Sequence, residues 1–272
     1  MADSGAHRIV CITGASSGIG RALALEMARR GWATRLIARN REALAVVYTE
    51  CRRQAPAADH AVFAGDLTDP TDLERCLAWL RSSGIPDVVV QNAAVARFGP
   101  FHRMDLAAHR EVLAIHTLPL LHFTHALLPA MRTRRYGFWV FVGSTSGRKP
   151  VPYLATYAAS KAFVHFFAQA LGEELRGTGI GVLLVIPGFV QTGFHRREGL
   201  PEAARPARAQ TPETVARRIA DAIEQRRTGT MVIGTWQERV AGILQRWLPG
   251  EFWARRMGRW YRHWIPEQEN SR

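Results

Sequence analysis

The sequence predicts an α/β fold: one doubly wound parallel sheet of about seven strands, helices on both faces, and a helical tail at the C-terminus. Three observations carry this. Short β-branched apolar runs alternate with longer amphipathic stretches along most of the chain. A glycine-rich turn joins the first apolar run to the first helical stretch. The length of 272 residues, 47% of them hydrophobic, suits one substantial core. In order, the runs near 8–13, 34–38, 61–64, 87–91, 138–143, 180–186 and 230–233 read as strands. The stretches near 21–30, 41–54, 71–82, 105–131, 155–176 and 212–226 read as crossover helices. Right-handed crossovers then set a ligand crevice at the carboxyl ends of the strands. Only 190–210 and the tail after 235 break the rhythm, so 1–235 reads as one domain and 236–272 as an extension.

Composition narrows the functional classes. Lys and Arg number 36 against 23 Asp and Glu, a formal charge of +13, but the arginines are spread without a reading motif, which argues against nucleic acid. No run reaches the roughly 18–20 apolar residues that span a bilayer. The first strand begins near Arg8, leaving no room for a cleavable signal peptide. Three cysteines, Cys11, Cys51 and Cys76, fall in strand or helix without metal-ligand spacing. The expectation is a cytoplasmic protein with no metal site. His122 and His125 stand one helical turn apart but lack a third ligand.

The first strand runs directly into Gly14-Ala15-Ser16-Ser17-Gly18-Ile19-Gly20, and the next helix closes on Gly31. Strand, glycine turn and helix form the first half of a nucleotide-binding βαβ unit. Its glycines admit a pyrophosphate, and the helix N-terminus offers free N–H groups. Further on, Tyr157 and Lys161 stand at i and i+4 of one helix, with Ser144 thirteen residues before Tyr157. Lys161 is one of only two lysines, the other being Lys149, in a chain that otherwise writes positive charge as Arg. The i, i+4 spacing puts phenol and ammonium on one face. A cation near a phenol favours the phenolate, which suits proton exchange between an alcohol and a carbonyl. The second strand ends in Ala38-Arg39-Asn40-Arg41, where an acid would bind ribose hydroxyls. A guanidinium there can grip a 2′-phosphate instead.

Taken together, Thr13-Gly14-x-x-x-Gly18-Ile19-Gly20, Asp66, Asn92-Ala93, Ser144, Tyr157, Lys161 and Pro187-Gly188 with Thr192 resemble the short-chain dehydrogenases/reductases over about 8–235. The resemblance implies a Rossmann-type domain and an oxidoreductase that moves a hydride between a nicotinamide cofactor and a carbonyl–alcohol pair. It implies a Ser144–Tyr157–Lys161 proton relay. It places Gly14, Ser16, Ser17, Gly18, Ile19, Gly20, Arg39, Asp66, Leu67, Asn92, Ala93, Tyr157, Lys161, Pro187, Gly188, Val190 and Thr192 against NADP(H), with Arg39 favouring the phosphorylated form. Gln91 and Ala94 depart from the usual Asn-Asn-Ala-Gly, and His116 stands where the family usually has a catalytic asparagine. His116 is therefore a candidate proton relay.

The substrate side is less specified. Residues 190–210 hold the position of the family's substrate loop and carry His195, Arg196, Arg197, Arg205 and Arg208. Val95, Phe98, Tyr153, Phe189 and Phe194 are candidate apolar lining, pointing to a hydrophobic lipid-, steroid- or ketone-like substrate. A 3-oxoacyl thioester reductase and a non-catalytic NADP-binding sensor are the alternatives. Five of eight tryptophans lie between Trp236 and Trp264, and Trp253, Met257, Trp260 and Trp264 repeat at helical spacing opposite Arg255, Arg259 and Arg262. This reads either as a peripheral contact with the inner membrane face or as a helix packed on protein. The long helices near 105–131 and 155–176 commonly form the family's dimer face, so a homo-oligomer is expected.

Overall fold

Period-two burial along the strands divides the molecule into two cores, one on each face of a single sheet. The computed structural model describes residues 8–194, 199, 209–235 and 248–263. Its strands are β1 (Ile9–Thr13), β2 (Ala33–Ala38), β3 (Ala61–Ala64), β4 (Val88–Gln91), β5 (Gly137–Val142), β6 (Ile180–Pro187) and β7 (Gly229–Ile233). They pair in parallel in the order 3-2-1-4-5-6-7. Between them run α1 (Gly18–Arg29), α2 (Arg41–Gln54), α3 (Pro70–Ser82), α4 (Leu106–Thr133), α5 (Ala155–Glu174) and α6 (Pro212–Glu224), and α7 (Gly250–Arg262) follows. In β5, Phe138, Val140 and Val142 face the core under α1, α2 and α6. Trp139 and Phe141 face the core under α3, α4 and α5.

The helix ends follow local chemistry. Asp69 caps α3, accepting from the Asp72 N–H at 2.9 Å with Pro70 at the first helical position. Thr211 and Pro212 repeat the device at α6. Gly31, at φ 80°, turns the chain out of α1. Arg30, also paired with Glu26 of α1, ties α1 to α6 through Asp221 and Glu224 at 2.6 and 2.7 Å.

The 28-residue α4 contains an 18-residue window of mean hydropathy 1.3, long and apolar enough by length and composition to cross a bilayer. The helix is apolar because Val112, Leu120, Phe123, Leu127 and Met131 fill the core beneath the sheet. The interior positions Pro119 and Pro129 each remove a helical N–H.

The strand order reverses between β1 and β4, so the loops leaving their carboxyl ends diverge and open a crevice. Two side chains fix its floor. Thr13 Oγ1 accepts from the backbone N–H groups of Asn92 and Ala93 at 2.9 and 3.0 Å. Asn92 Nδ2 donates back to Thr13 O at 2.9 Å.

Candidate active site

Above that floor lies a cavity of about 560 Å³. At one end are Arg39 and Leu67; Gly14, Ser16, Ser17, Gly18 and Ile19 line its middle; Ser144, Tyr157 and Lys161 close the other end. Gly14 and Gly18 take positive φ, 68° and 55°, which other residues rarely adopt. The first turn of α1 holds no acid, whereas α2 and α3 carry Glu42 and Asp72 there. The cradle therefore suits an elongated anionic ligand. Gly20 stands behind the wall: a Cβ there would overlap Gly14 O and lie 2.6 Å from Asn92 Nδ2. It admits close packing and does not line the cavity.

The Arg39 end is an ion network that the sequence reading did not anticipate. Arg39 Nη1 donates to Glu111 of α4 at 2.9 Å and lies 3.5 Å from Asp66. Arg97, which also lines the cavity, donates to the other Glu111 oxygen at 2.7 Å. The Asp66 carboxylate accepts from the Thr68 N–H and hydroxyl at 2.9 and 2.8 Å, turned toward the loop. Half of the Arg39 side chain is exposed, so a second anion can reach it.

At the other end, α5 presents Tyr157 and Lys161 to the cavity. Lys161 is 3% exposed, and its Nζ donates to Val142 O at 3.0 Å, the end of β5. Burial pushes its ammonium down to about 7. The Nζ lies 5.9 Å from the centroid of the Tyr157 ring. Ser144 leaves β5 and opens the 3-10 turn Thr145–Arg148, its Oγ accepting from the Ser146 N–H at 3.2 Å. That leaves the hydroxyl hydrogen free to turn toward the cavity. Pro187, Gly188, Val190, Thr192 and Phe194 cover the crevice from the far side. Thr192 crosses so close to the glycine turn that a Cβ on Gly18 would meet it at 3.2 Å.

His116 is brought to this site, but its bonds run elsewhere. Its Nδ1 lies 2.8 Å from Ser160 Oγ, which donates to Tyr157 O at 2.8 Å. Since the serine has one hydrogen, His116 is the donor in the first contact, and Nε2 is the bare nitrogen. Nε2 is buried without a hydrogen-bond partner among the described residues. Burial first, and the Lys161 charge second, hold the imidazole well below its usual range, so it stays neutral. The ring stands edge-on to Tyr157 at 5.5 Å. Among the described residues, no three His, Cys, Asp or Glu side chains gather as a metal site, and His122 Nδ1 lies 3.6 Å from Glu74.

On the substrate side, Val95 and Phe194 line the cavity. Phe98, Tyr153 and Phe189 instead join a third apolar cluster around Tyr261 and Met257 of α7. The stripe that seats α7 is also displaced from the one its tryptophans suggest. Gly250 and Gly258 lie on the edge that faces Pro150 and Pro152, where an added Cβ would make ordinary contacts of 3.6 and 3.5 Å. Tyr261 is buried next to Phe98, whereas Trp260 is 44% exposed. Lys149 Nζ donates to Leu248 O at 2.7 Å at the start of this contact. Trp236, Trp247, Trp264, His195, Arg196, Arg197, Arg205 and Arg208 lie outside the described residues.

A pH dependence follows from Lys161. The folded chain binds this proton only below about 7, whereas the unfolded chain keeps it to about 10.4. The unfolded state therefore binds more protons between those values, and stability rises with pH across that window. The thermal midpoint of the ligand-free protein should climb more steeply from pH 7 to 10 than that of Lys161→Met. Parallel curves would contradict the burial of a titrating ammonium.

The model of the short chain dehydrogenase family matches residues 8–202. A very-long-chain 3-oxoacyl-CoA reductase of Bos taurus is 30% identical over 242 residues, 87% of this chain and 75% of that protein. The ketoacyl reductase HetN of Nostoc sp. is 30% identical over 230 residues, 83% of this chain and 78% of its own. A short-chain dehydrogenase from Sphingobium yanoikuyae, solved in complex with NADPH, superposes with a TM-score of 0.77 at 27% identity. That superposition covers 88% of this chain and 94% of the other. With a matching model over most of its length and relatives of such extent on both sides, the chain belongs to the short-chain dehydrogenase family.

Proposed function

We propose that this oxidoreductase interconverts a carbonyl and a secondary alcohol on an apolar substrate, using NADP(H) and a Ser144–Tyr157–Lys161 relay. The observation that carries this reading is the convergence of those three side chains on one end of the cavity whose middle is the glycine cradle. When bound, the nicotinamide cofactor supplies or takes the hydride. In the reductive direction the Ser144 hydroxyl donates to the substrate oxygen, adding to the stabilisation of developing negative charge. The Tyr157 hydroxyl delivers the proton, and Lys161 holds positive charge beside it. Retention of all three groups argues against a non-catalytic sensor. The relatives named as 3-oxoacyl-CoA and ketoacyl reductases favour 3-oxoacyl thioesters as the substrate class. A hydrophobic ketone is the other reading, favoured by the apolar side chains of Val95, Ile115 and Phe194 in the cavity wall.

Arg39 supports NADP over NAD. Its exposed guanidinium is already held by Glu111, and a 2′-phosphate would add a stronger, doubly charged partner. Three further readings rest on surfaces. The sheet ends at Ile233, which supports a catalytic unit of 1–235 with 236–272 appended. Leu113, Leu121, Phe163 and Phe166 are exposed on α4 and α5, which supports a homo-oligomer through those helices. The outer side of α7 exposes Phe252, Arg255, Arg256, Arg259, Trp260 and Arg262. That mixture supports peripheral contact with anionic lipid at the inner membrane face of a cytoplasmic enzyme.

Tyr157→Phe should cut turnover by at least about a thousandfold while NADPH still binds, the usual scale of a general acid combined with substrate orientation. The assay is NADPH oxidation with a panel of 3-oxoacyl-CoA thioesters and bulky ketones, and substantial remaining turnover refutes the relay. Arg39→Asp should reverse cofactor preference by kcat/KM; an unchanged preference for NADP removes the assignment. Sedimentation velocity should find Phe166→Glu dissociated relative to the parent. Charge reversal of Arg255, Arg256 and Arg259 to Glu should abolish co-sedimentation with phosphatidylserine vesicles, and equal partitioning of the two chains ends the membrane reading.

A further inference from the structure

Tyr157, Lys161 and His165 stand at successive i+4 positions of α5, yet the proposed mechanism uses only the first two. His165 is 7% exposed and sits against the end of β5. Its Nε2 lies 3.3 Å from the Ser144 backbone nitrogen, which is the donor. An N–H can be received only by a bare nitrogen, so the ring is neutral with its own proton on Nδ1. One helical turn earlier, Lys161 Nζ donates to Val142 O at 3.0 Å. Two consecutive turns of α5 thus grip the backbone on either side of Gly143.

The chain is cut away to seat this ring. A Cβ on Gly143 would overlap Nε2 and stand 2.7 Å from Cδ2. A Cβ on Gly147 would stand 2.9 Å from Cε1 and 2.7 Å from the Lys161 carbonyl carbon. Neither glycine has positive φ, so backbone freedom is not the reason for them. Close approach of the imidazole and of α5 is.

We propose that His165 is a positioning residue that holds Ser144, through its backbone N–H, in register with Tyr157. The inference rests on the assignment of Ser144 as the group that binds the substrate oxygen. Ser144 Oγ is anchored by the Ser146 N–H within a 3-10 turn of four residues, and Gly143 N–H is anchored to Val185 O at 2.7 Å. His165 adds the link from this turn to the helix that carries Tyr157. Without it the turn can shift relative to the phenol, and a misplacement of about 1 Å at reacting groups costs about a hundredfold in rate.

The test is a set of three variants. His165→Leu removes the acceptor, His165→Gln puts an amide oxygen near the place of Nε2, and His165→Asn reaches only as far as Nδ1. With NADPH and the most active carbonyl substrate of the panel, His165→Leu and His165→Asn should lose roughly ten- to a hundredfold in kcat with the Kd for NADPH within about twofold. His165→Gln should recover most of that loss. Hydrogen exchange of the 143–148 amides should accelerate at least about tenfold in the Leu and Asn variants and not in Gln; this readout needs no substrate. In a Ser144→Ala background His165→Leu should cost no further turnover. The inference is overturned if Leu keeps the parental kcat and exchange, if Gln and Asn are equally impaired, or if NADPH affinity falls in step with kcat. A Ser144→Ala chain that keeps full activity overturns the role of Ser144 itself, and the exchange data then judge the contact between Ser144 and His165 separately.

Discussion

One buried ammonium organises the catalytic end of this molecule. Lys161 is buried at the cavity wall and bonded to the last carbonyl of β5. A cation in so little water raises the cost of any second cation nearby. The two imidazoles around it obey that constraint. His116 is held well below its usual range, and His165 is pushed down to about 4, by burial first and then by Lys161 and Arg148. Both are therefore neutral hydrogen-bonding pieces at physiological pH, and each has one bare nitrogen. The Arg39 end is the opposite case. It is half exposed, and two guanidiniums share the Glu111 carboxylate. The exposed end of the crevice thus holds paired charges, and the buried end one lysine flanked by neutral imidazoles.

The sheet supplies the other requirement, a rigid distance between those ends. Thr13 and Asn92 exchange hydrogen bonds across the point where strand order reverses. Gly14 and Gly20 are packed against the same asparagine with no room for a Cβ. The glycine turn is thus registered to β4 by side-chain bonds as well as by strand pairing. Ser144, Tyr157 and Lys161 are registered to β5 through Lys161 and His165.

Much of this was legible in the sequence because it depends on local pattern. Alternation of apolar runs located all seven strands to within a residue or two. The glycine spacing and the Tyr157–Lys161 spacing pointed to two ends of one cavity. What escaped depends on partners distant in the chain. Glu111 is 72 residues from Arg39, and nothing in its own neighbourhood announces the contact. His165 could have been found, since it continues the i+4 series from Tyr157 and faces the Gly143–Gly147 pair. In α7 the periodic stripe is half right: Met257 packs where the pattern puts it, but Tyr261, next to Phe98, is buried in place of Trp260, a choice made by a partner distant in the chain.

The scarcity of lysine has a consequence for chemistry performed on the protein. A chain that places its positive charge in guanidiniums offers side-chain amines at only two positions, 149 and 161. Lys161 is sealed beneath the crevice, whereas Lys149 is only partly covered. Its amine holds the Leu248 carbonyl at 2.7 Å, where the tail helix begins. Acylating reagents, whether enzymatic or synthetic, therefore meet one accessible side-chain amine among the described residues. That amine is the one whose reactivity reports whether the tail is seated.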